Sequence, residues 1–206
     1  MTSATTPRIA DAAELAASRE LHVARTHVAS IDAPALLPER DRVLAFIDAN
    51  DDALLRSCVP GHLTGSSFVV DAARGRFLLL HHTKLRKWLQ PGGHADGDGN
   101  LAAVALREAT EETGIVGLQV VVPPIDIDVH LVEPPHEHAH HHYDLRFLVL
   151  APDDAQVSGN HESTDQRWVT LDELDALGCD AGVRRMAIAG LAALTRLGAP
   201  GSRTGR

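Results

Sequence analysis

The chain has 206 residues, a length that accommodates one well-buried domain with an appendage, and carries 28 acidic against 19 basic side chains for a formal charge of −9. That balance, with no cluster of lysines and arginines, excludes a surface for long nucleic acids but leaves open a nucleotide held through metal ions. No run reaches the roughly 20 apolar residues of a membrane span, and the start Met1-Thr2-Ser3 lacks a signal core. Cys58 and Cys179 sit at no metal-binding spacing and suit a reducing compartment, so a cytoplasmic protein with buried, inert thiols is expected.

In chain order, residues 1 to about 10 are polar and read as frayed. Leu21, Ala24, Val28 and Ile31 recur at helical spacing, Pro34 and Pro38 break that helix, and Val43, Leu44, Phe46 and Ile47 define a second, continued or followed by an apolar run near Leu54 and Leu55. From Leu63 the pattern turns to strands. Ser67 to Asp71 and Arg76 to His82 read as a hairpin, the second strand carrying Phe77-Leu78-Leu79-Leu80. Trp88-Leu89 forms the next short strand and leads into a Pro91-Gly92-Gly93 turn and a Gly/Asp-rich loop. Leu118 to Val122 and Ile125 to Leu131 are strands separated by Pro123-Pro124, and in Tyr143 to Ala151 the apolar Leu145, Phe147 and Val149 alternate with Asp144, Arg146 and Leu148. Arg167-Trp168-Val169 is the last strand, Thr170 caps a short helix through Leu177, and Ala181 to Leu197 is a terminal helix.

The clearest helix runs from Leu101 to Thr113, with Asn100 placed to cap its start and Gly114 to close it in the left-handed conformation. At about 100° per residue, Leu101, Ala102, Ala105, Leu106 and Ala109 form an apolar stripe beside an arc of Glu108, Glu111 and Glu112. These carboxylates repel one another and sit at the end of the helix where its dipole already disfavours negative charge. A bound cation relieves both penalties; a solvated acidic face with Arg107 as partial counter-charge is the plainer reading. Glycine carbonyls of the preceding loop could join the carboxylates around a hard cation such as Mg²⁺.

The stretch from Gly93 to Ile115 resembles the signature box of the Nudix hydrolases. Gly93, Arg107, Glu108, Glu111, Glu112, Gly114 and Ile115 match the box in type and register, and Ala109 stands in for an aliphatic residue. Gly99 occupies the place of the first box glutamate, for which Asp96 or Asp98 of the same loop could substitute out of register. The resemblance implies an α/β fold, a Nudix-type α/β/α sandwich with a mixed sheet, spanning residues 61–197. It leaves an N-terminal helical extension over residues 1–60, for packing or dimerisation, and a disordered tail over residues 198–206.

The resemblance further implies a divalent-metal-dependent hydrolase of a phosphoanhydride bond in a nucleoside diphosphate linked to another moiety. Glu108, Glu111 and Glu112, with the Gly92 carbonyl, would hold Mg²⁺ or Mn²⁺; Arg107 would orient the glutamates; Glu108 or Glu162, the latter in the loop before the last strand, would serve as general base. The partner is a small nucleotide-like molecule, and a homodimer is the commonest assembly to expect. Gly99 favours an alternative, a Nudix-fold domain that binds a nucleotide without hydrolysing it. Isomerase chemistry on a prenyl diphosphate would require a reactive cysteine near the metal.

Other residues stand out by type. His136 to His142 is the most unusual composition in the chain, and if extended His138, His140 and His142 face one way, suiting a transition metal such as Zn²⁺; a solvated loop or a gate at the mouth of the site are the alternatives. His94 could reach a phosphate or lie on the surface, one of His81 and His82 points inward, and Arg86 and Lys87 could steer an anion. Trp168 and Phe147 read as core.

Overall fold

A computed structural model describes residues 6–134 and 138–198. His136, Glu137 and the tail from residue 199 lie outside the described residues. Strand β1 (Arg8–Ala10) is followed by helices α1 (Leu21–Ala29) and α2 (Leu37–Ala49). Four strands come next: β2 (Gly61–Asp71), β3 (Arg76–His82), β4 (Trp88–Leu89) and β5 (Gly92–His94). Helix α3 (Leu101–Thr113), strands β6 (Gln119–Val132), β7 (His140–Leu150) and β8 (Ser163–Val169), and helix α4 (Ala181–Gly198) complete the chain.

The strands form one eight-stranded sheet in the order β1-β6-β7-β2-β3-β4, with β5 on β2 and β8 on β3. Its pivot is β2, buried along its whole length. One edge runs parallel to β7 from Gly61↔His141 to Val70↔Leu150. The other edge is divided: Val70 and Asp71 pair with β3, whereas Thr64, Gly65 and Ser66 pair antiparallel with β5. Side-chain alternation then feeds two cores. Leu63 and Val69 of β2 and Leu145, Phe147 and Val149 of β7 pack with α1, α2 and the apolar stripe of α3. Phe68, Val70 and Leu148 point the other way, against Val183, Met186 and Ala187 of α4. The sheet is thus mixed and lies between helical layers, the expected α/β/α sandwich.

Several elements depart from the sequence reading. Arg8–Ala10 is an edge strand on Val120–Val122 instead of a frayed end, because the β6 edge offers unpaired backbone and Ala10 is fully buried against it. The Pro-Gly-Gly turn extends into a strand, β5, since Gly92 and Gly93 can lie flat on the divided edge of β2. Pro123-Pro124 does not split β6; a register shift between Val121 and Asp126 absorbs the two residues that lack an N–H donor. Leu54 and Leu55 lie in turns, and the helix expected after Thr170 is a single 3₁₀ turn, Leu171–Glu173, closed by a Thr170/Glu173 capping box.

The polar residues that alternate along β7 are not solvent-facing. Arg146 is buried with Asp126, Asp128 and Asp144, at 3.1, 3.1 and 2.9 Å, and Arg185 of α4 reaches Asp126 and Asp128 at 2.9 and 2.7 Å. Asp144 also accepts hydrogen bonds from the hydroxyls of Thr64 and Ser66, both at 2.8 Å. This network ties β2, β6, β7 and α4 together. It forms the floor of the site.

Candidate active site

A cavity of about 350 Å³ opens where α3 crosses the end of β5. Its lining includes Glu108 and Glu112 from α3, Gly92, Gly93 and His94 from β5, Thr64 and Ser66 from β2, His142 and Asp144 from β7, and Glu162 just before β8. The caps of α3 fix the phase of that helix: the Asn100 side chain accepts from the Ala103 amide at 3.3 Å, and Gly114 adopts φ 69°. Four residues apart, Glu108 and Glu112 share the cavity side. Glu111 is exposed one step round the helix and lines a separate groove with Arg107 and Asp98. The structure therefore brings together Glu108, Glu112, Glu162 and Gly92 of the sequence-derived set and leaves Glu111 outside the cavity lining.

Each inner carboxylate is held. Arg107 Nη2 lies 3.0 Å from Glu108 Oε1, and the Gly92 amide donates to Glu112 Oε2 at 3.0 Å. The Gln166 side-chain amide donates to the Glu112 backbone carbonyl at 3.0 Å, which ties the helix end to β8. A Cβ on Gly93 would run into the Glu108 carboxylate, so a side chain at 93 would displace that carboxylate from its place. Burial pushes the Glu112 carboxyl up to about 8, with the charges of Glu162 and Glu108 adding to the rise, and burial also holds Glu108 above the ordinary range. Three carboxylates, Glu108, Glu112 and Glu162, thus converge on the cavity, with the Arg107 guanidinium paired to Glu108. An all-oxygen, mutually repelling donor set of this kind fits a hard divalent cation.

Gly99 has a structural cause. The segment before α1 crosses the loop that leads into α3: the Ser18 amide donates to Asp98 Oδ1 at 3.0 Å, the Gly99 amide to the Ser18 carbonyl at 2.5 Å, and the Asn100 side chain to the Ala16 carbonyl at 2.9 Å. A Cβ on Gly99 would run into the Glu20 carbonyl oxygen. The place of the first box glutamate is filled by backbone from the N-terminal segment. Neither aspartate of the loop replaces it, because Asp96 pairs with Arg56 at 2.7 Å, Asp98 accepts from the Ser18 and Asn100 amides, and neither lines the cavity.

Histidines form the opposite wall. His94 joins His62 and His142, with ring centroids 4.8 to 5.0 Å apart, while His82 lines the mouth and takes hydrogen bonds from the Lys84 and Leu85 amides. Burial and the neighbouring rings hold His62, at about 4, and His142 below the ordinary histidine range. His138, expected to act with His140 and His142, is exposed, and its carbonyl accepts from His140 Nδ1. Arg86 and Lys87 are exposed and do not line the cavity. Phe147 is core as expected, and Trp168 is partly buried at the edge of the same core cluster. Neither cysteine lines the cavity, and burial pushes both thiols up to about 11, so neither supplies the reactive thiol that isomerase chemistry would require.

The sequence reading missed His62, Thr64, Ser66, His130 and Asp144 of the cavity region. The alternation His62, Thr64, Ser66 against Leu63 and Gly65 marks a polar strand face, but nothing local shows that this face is buried.

A family model described as the NUDIX domain matches residues 61–188. No curated protein sequence matches the chain. Among solved structures, the E. coli dihydroneopterin triphosphate pyrophosphohydrolase is similar at 14% identity over 64% of this chain and 95% of its own, with a TM-score of 0.50. A possible asymmetric diadenosine tetraphosphate hydrolase from Jonesia denitrificans is similar at 16% identity over 66% of this chain and 96% of its own, again with a TM-score of 0.50. The C. elegans Ap4A hydrolase shares 21% identity over 65% of this chain and 98% of its own, with a TM-score of 0.49. At such identities the likeness is one of fold.

Proposed function

Because the chain belongs to the Nudix family of pyrophosphohydrolases, we propose that it cleaves a phosphoanhydride bond in a nucleoside diphosphate linked to another moiety, with Mg²⁺ or Mn²⁺ at the carboxylate wall of the cavity. The observation that carries the reading is the convergence of Glu108, Glu112 and Glu162 on one cavity beside Gly92. Glu108 and Glu112, with the Gly92 carbonyl, would hold the ion, and Glu111 would reach it by a rotamer change from the outer groove. When bound, such an ion supplies charge neutralisation at phosphate oxygens and acidifies water.

The chain's own residues supply the rest. Arg107 fixes the Glu108 carboxylate through its guanidinium, and the Gly92 amide fixes Glu112. Glu162, on the loop before β8, is the proposed base that takes the proton from attacking water; Glu108 is the second candidate for that role. The floor residues Thr64 and Ser66 hold their hydroxyls on Asp144, which keeps the wall between the carboxylates and the histidines rigid. Two cysteines at no metal-binding spacing and the prevalence of two-fold assemblies support a cytoplasmic homodimer as the setting. Among the described residues no helix is long and apolar enough to cross a membrane.

The test is hydrolysis of a panel of ADP-ribose, nucleotide sugars, dinucleoside polyphosphates, nucleoside triphosphates and prenyl diphosphates with Mg²⁺ or Mn²⁺. Metal-dependent turnover of a nucleoside diphosphate conjugate is expected. Binding of a nucleotide with no turnover of any compound would overturn the proposal in favour of a sensing domain.

A pH dependence follows from Glu112. Proton and cation compete for a carboxyl pushed up to about 8. Apparent Mg²⁺ affinity is therefore expected to rise by up to about tenfold per pH unit below 8 and to level off above it. Titration calorimetry from pH 6 to 9 measures this. A flat profile would remove Glu112 from the ion's ligands.

A further inference from the structure

We propose that His62, His94 and His142 form a second cation site, for a Zn²⁺-class transition metal, with an open coordination position facing the cavity. Three strands build it. His62 on β2 stands beside His142 on β7 in the parallel register, and His94 on β5 pairs with Thr64, two residues along the same face as His62. One ring nitrogen from each of the three lies within 4.8 Å of the others. In a tetrahedral site with Zn–N bonds of about 2.05 Å the nitrogens stand roughly 3.3 Å apart, so small side-chain rotations close the set.

A second observation points to a ligand. His62 is 3% exposed, and neither of its ring nitrogens has a hydrogen-bond partner. Buried imidazole nitrogens are ordinarily satisfied, and a metal ion in the centre of the triad satisfies one of them directly. His130 and His140, the nearest other rings, have Nδ1 committed to Asp128 Oδ2 at 2.8 Å and to the His138 carbonyl at 2.9 Å. The three-nitrogen donor set selects Zn²⁺, Co²⁺ or Ni²⁺ over Mg²⁺, the reverse of the carboxylate wall. His94 and His142 both line the cavity. The fourth position, open to that cavity, takes an anionic oxygen, and a phosphate oxygen is the ligand class that the site fits.

Titration of the metal-free full chain with Co²⁺, in the presence of excess Mg²⁺, tests the site without reference to turnover. The expected result is one equivalent bound with the intense visible absorption of a four-coordinate nitrogen-ligated ion, displaced by one equivalent of Zn²⁺ and shifted by inorganic phosphate. His142→Asn and His62→Asn should each weaken Co²⁺ binding by about 100-fold or more, whereas Glu112→Gln and the double variant His138→Asn/His141→Asn should retain the absorption. If circular dichroism shows His62→Asn unfolded, the half-buried His94→Asn carries the same comparison. No such absorption in the wild type, or its survival in His142→Asn and His94→Asn, overturns the site; binding with no response to phosphate overturns the open position. Loss of hydrolysis across the substrate panel with this spectrum intact would refute the proposed function alone.

Discussion

Replacing Glu112 by Gln is expected to lower kcat/KM on the order of 10²–10³-fold, the effect of removing one strong electrostatic contact from a water-excluded centre. The amide keeps the shape of the carboxylate and can still accept from the Gly92 N–H, now at 3.0 Å from Oε2, so the loss isolates charge from geometry. A second readout separates this from collapse of the fold. In the metal-free protein the Glu112 carboxyl titrates near 8, well above its value in an unfolded chain, so the folded state binds the extra proton between about pH 4.5 and 8. Stability contributed by this group is present below the lower value and is lost as pH rises through the higher one. Metal-free wild type should therefore lose stability from pH 5 to 8, Glu112→Gln should lose less, and Mg²⁺ should restore only the wild type. An unchanged rate in the variant would remove Glu112 from the reaction centre.

Gly99→Glu, which writes the missing box residue back into the chain, is expected to destabilise the protein by about 3 kcal/mol in denaturant unfolding instead of improving it. The new Cβ would meet the Glu20 carbonyl oxygen, a backbone atom that cannot rotate away, and the same crossing is pinned by Ser18 on Asp98 and Asn100 on Ala16. Removing residues 1–20 takes the obstruction away. In that shortened chain the penalty of Gly99→Glu should fall to a fraction of its original size, and a double-mutant cycle measures the coupling. A penalty that survives the truncation would place the cause elsewhere, in the loop itself.

These two residues show how legibility divided. The limits, caps and apolar stripe of α3 were readable because a helix is a local object: Asn100, the stripe and Gly114 act within a few residues of one another. The position of Glu162 came from the family resemblance, and its side chain does share the cavity. Gly99 was visible as a departure, yet its reason was not, because the Glu20 carbonyl belongs to a segment whose path depends on tertiary packing. The separation of Glu111 from Glu108 and Glu112 turned on about 100° of helix rotation, which sequence alone does not anchor to a cavity wall. The role of the polar side of β7 was not legible for a related reason. Asp144 and Arg146 have the alternation of a solvent face, and only the approach of β6 and α4, which bring Asp126, Asp128 and Arg185, lets those charges be buried as a satisfied set. β5 and β1 escaped because three-residue strands exist only through their partners.

The parallel pairing of β2 with β7 also governs how the molecule is made. Thr64 and Asp144 touch across 80 residues of chain, and His62 and His142 are neighbours over the same span. During synthesis the floor of the cavity has no second side until β7 leaves the ribosome, and until then the edge of β2 that β7 will cover leaves its backbone N–H and C=O groups unpaired, because β3 and β5 pair on the opposite edge. The helical N-terminal segment emerges first and packs on the face that holds Leu63 and Val69. It is positioned to protect the nascent sheet from aggregation through the interval before β7 is made.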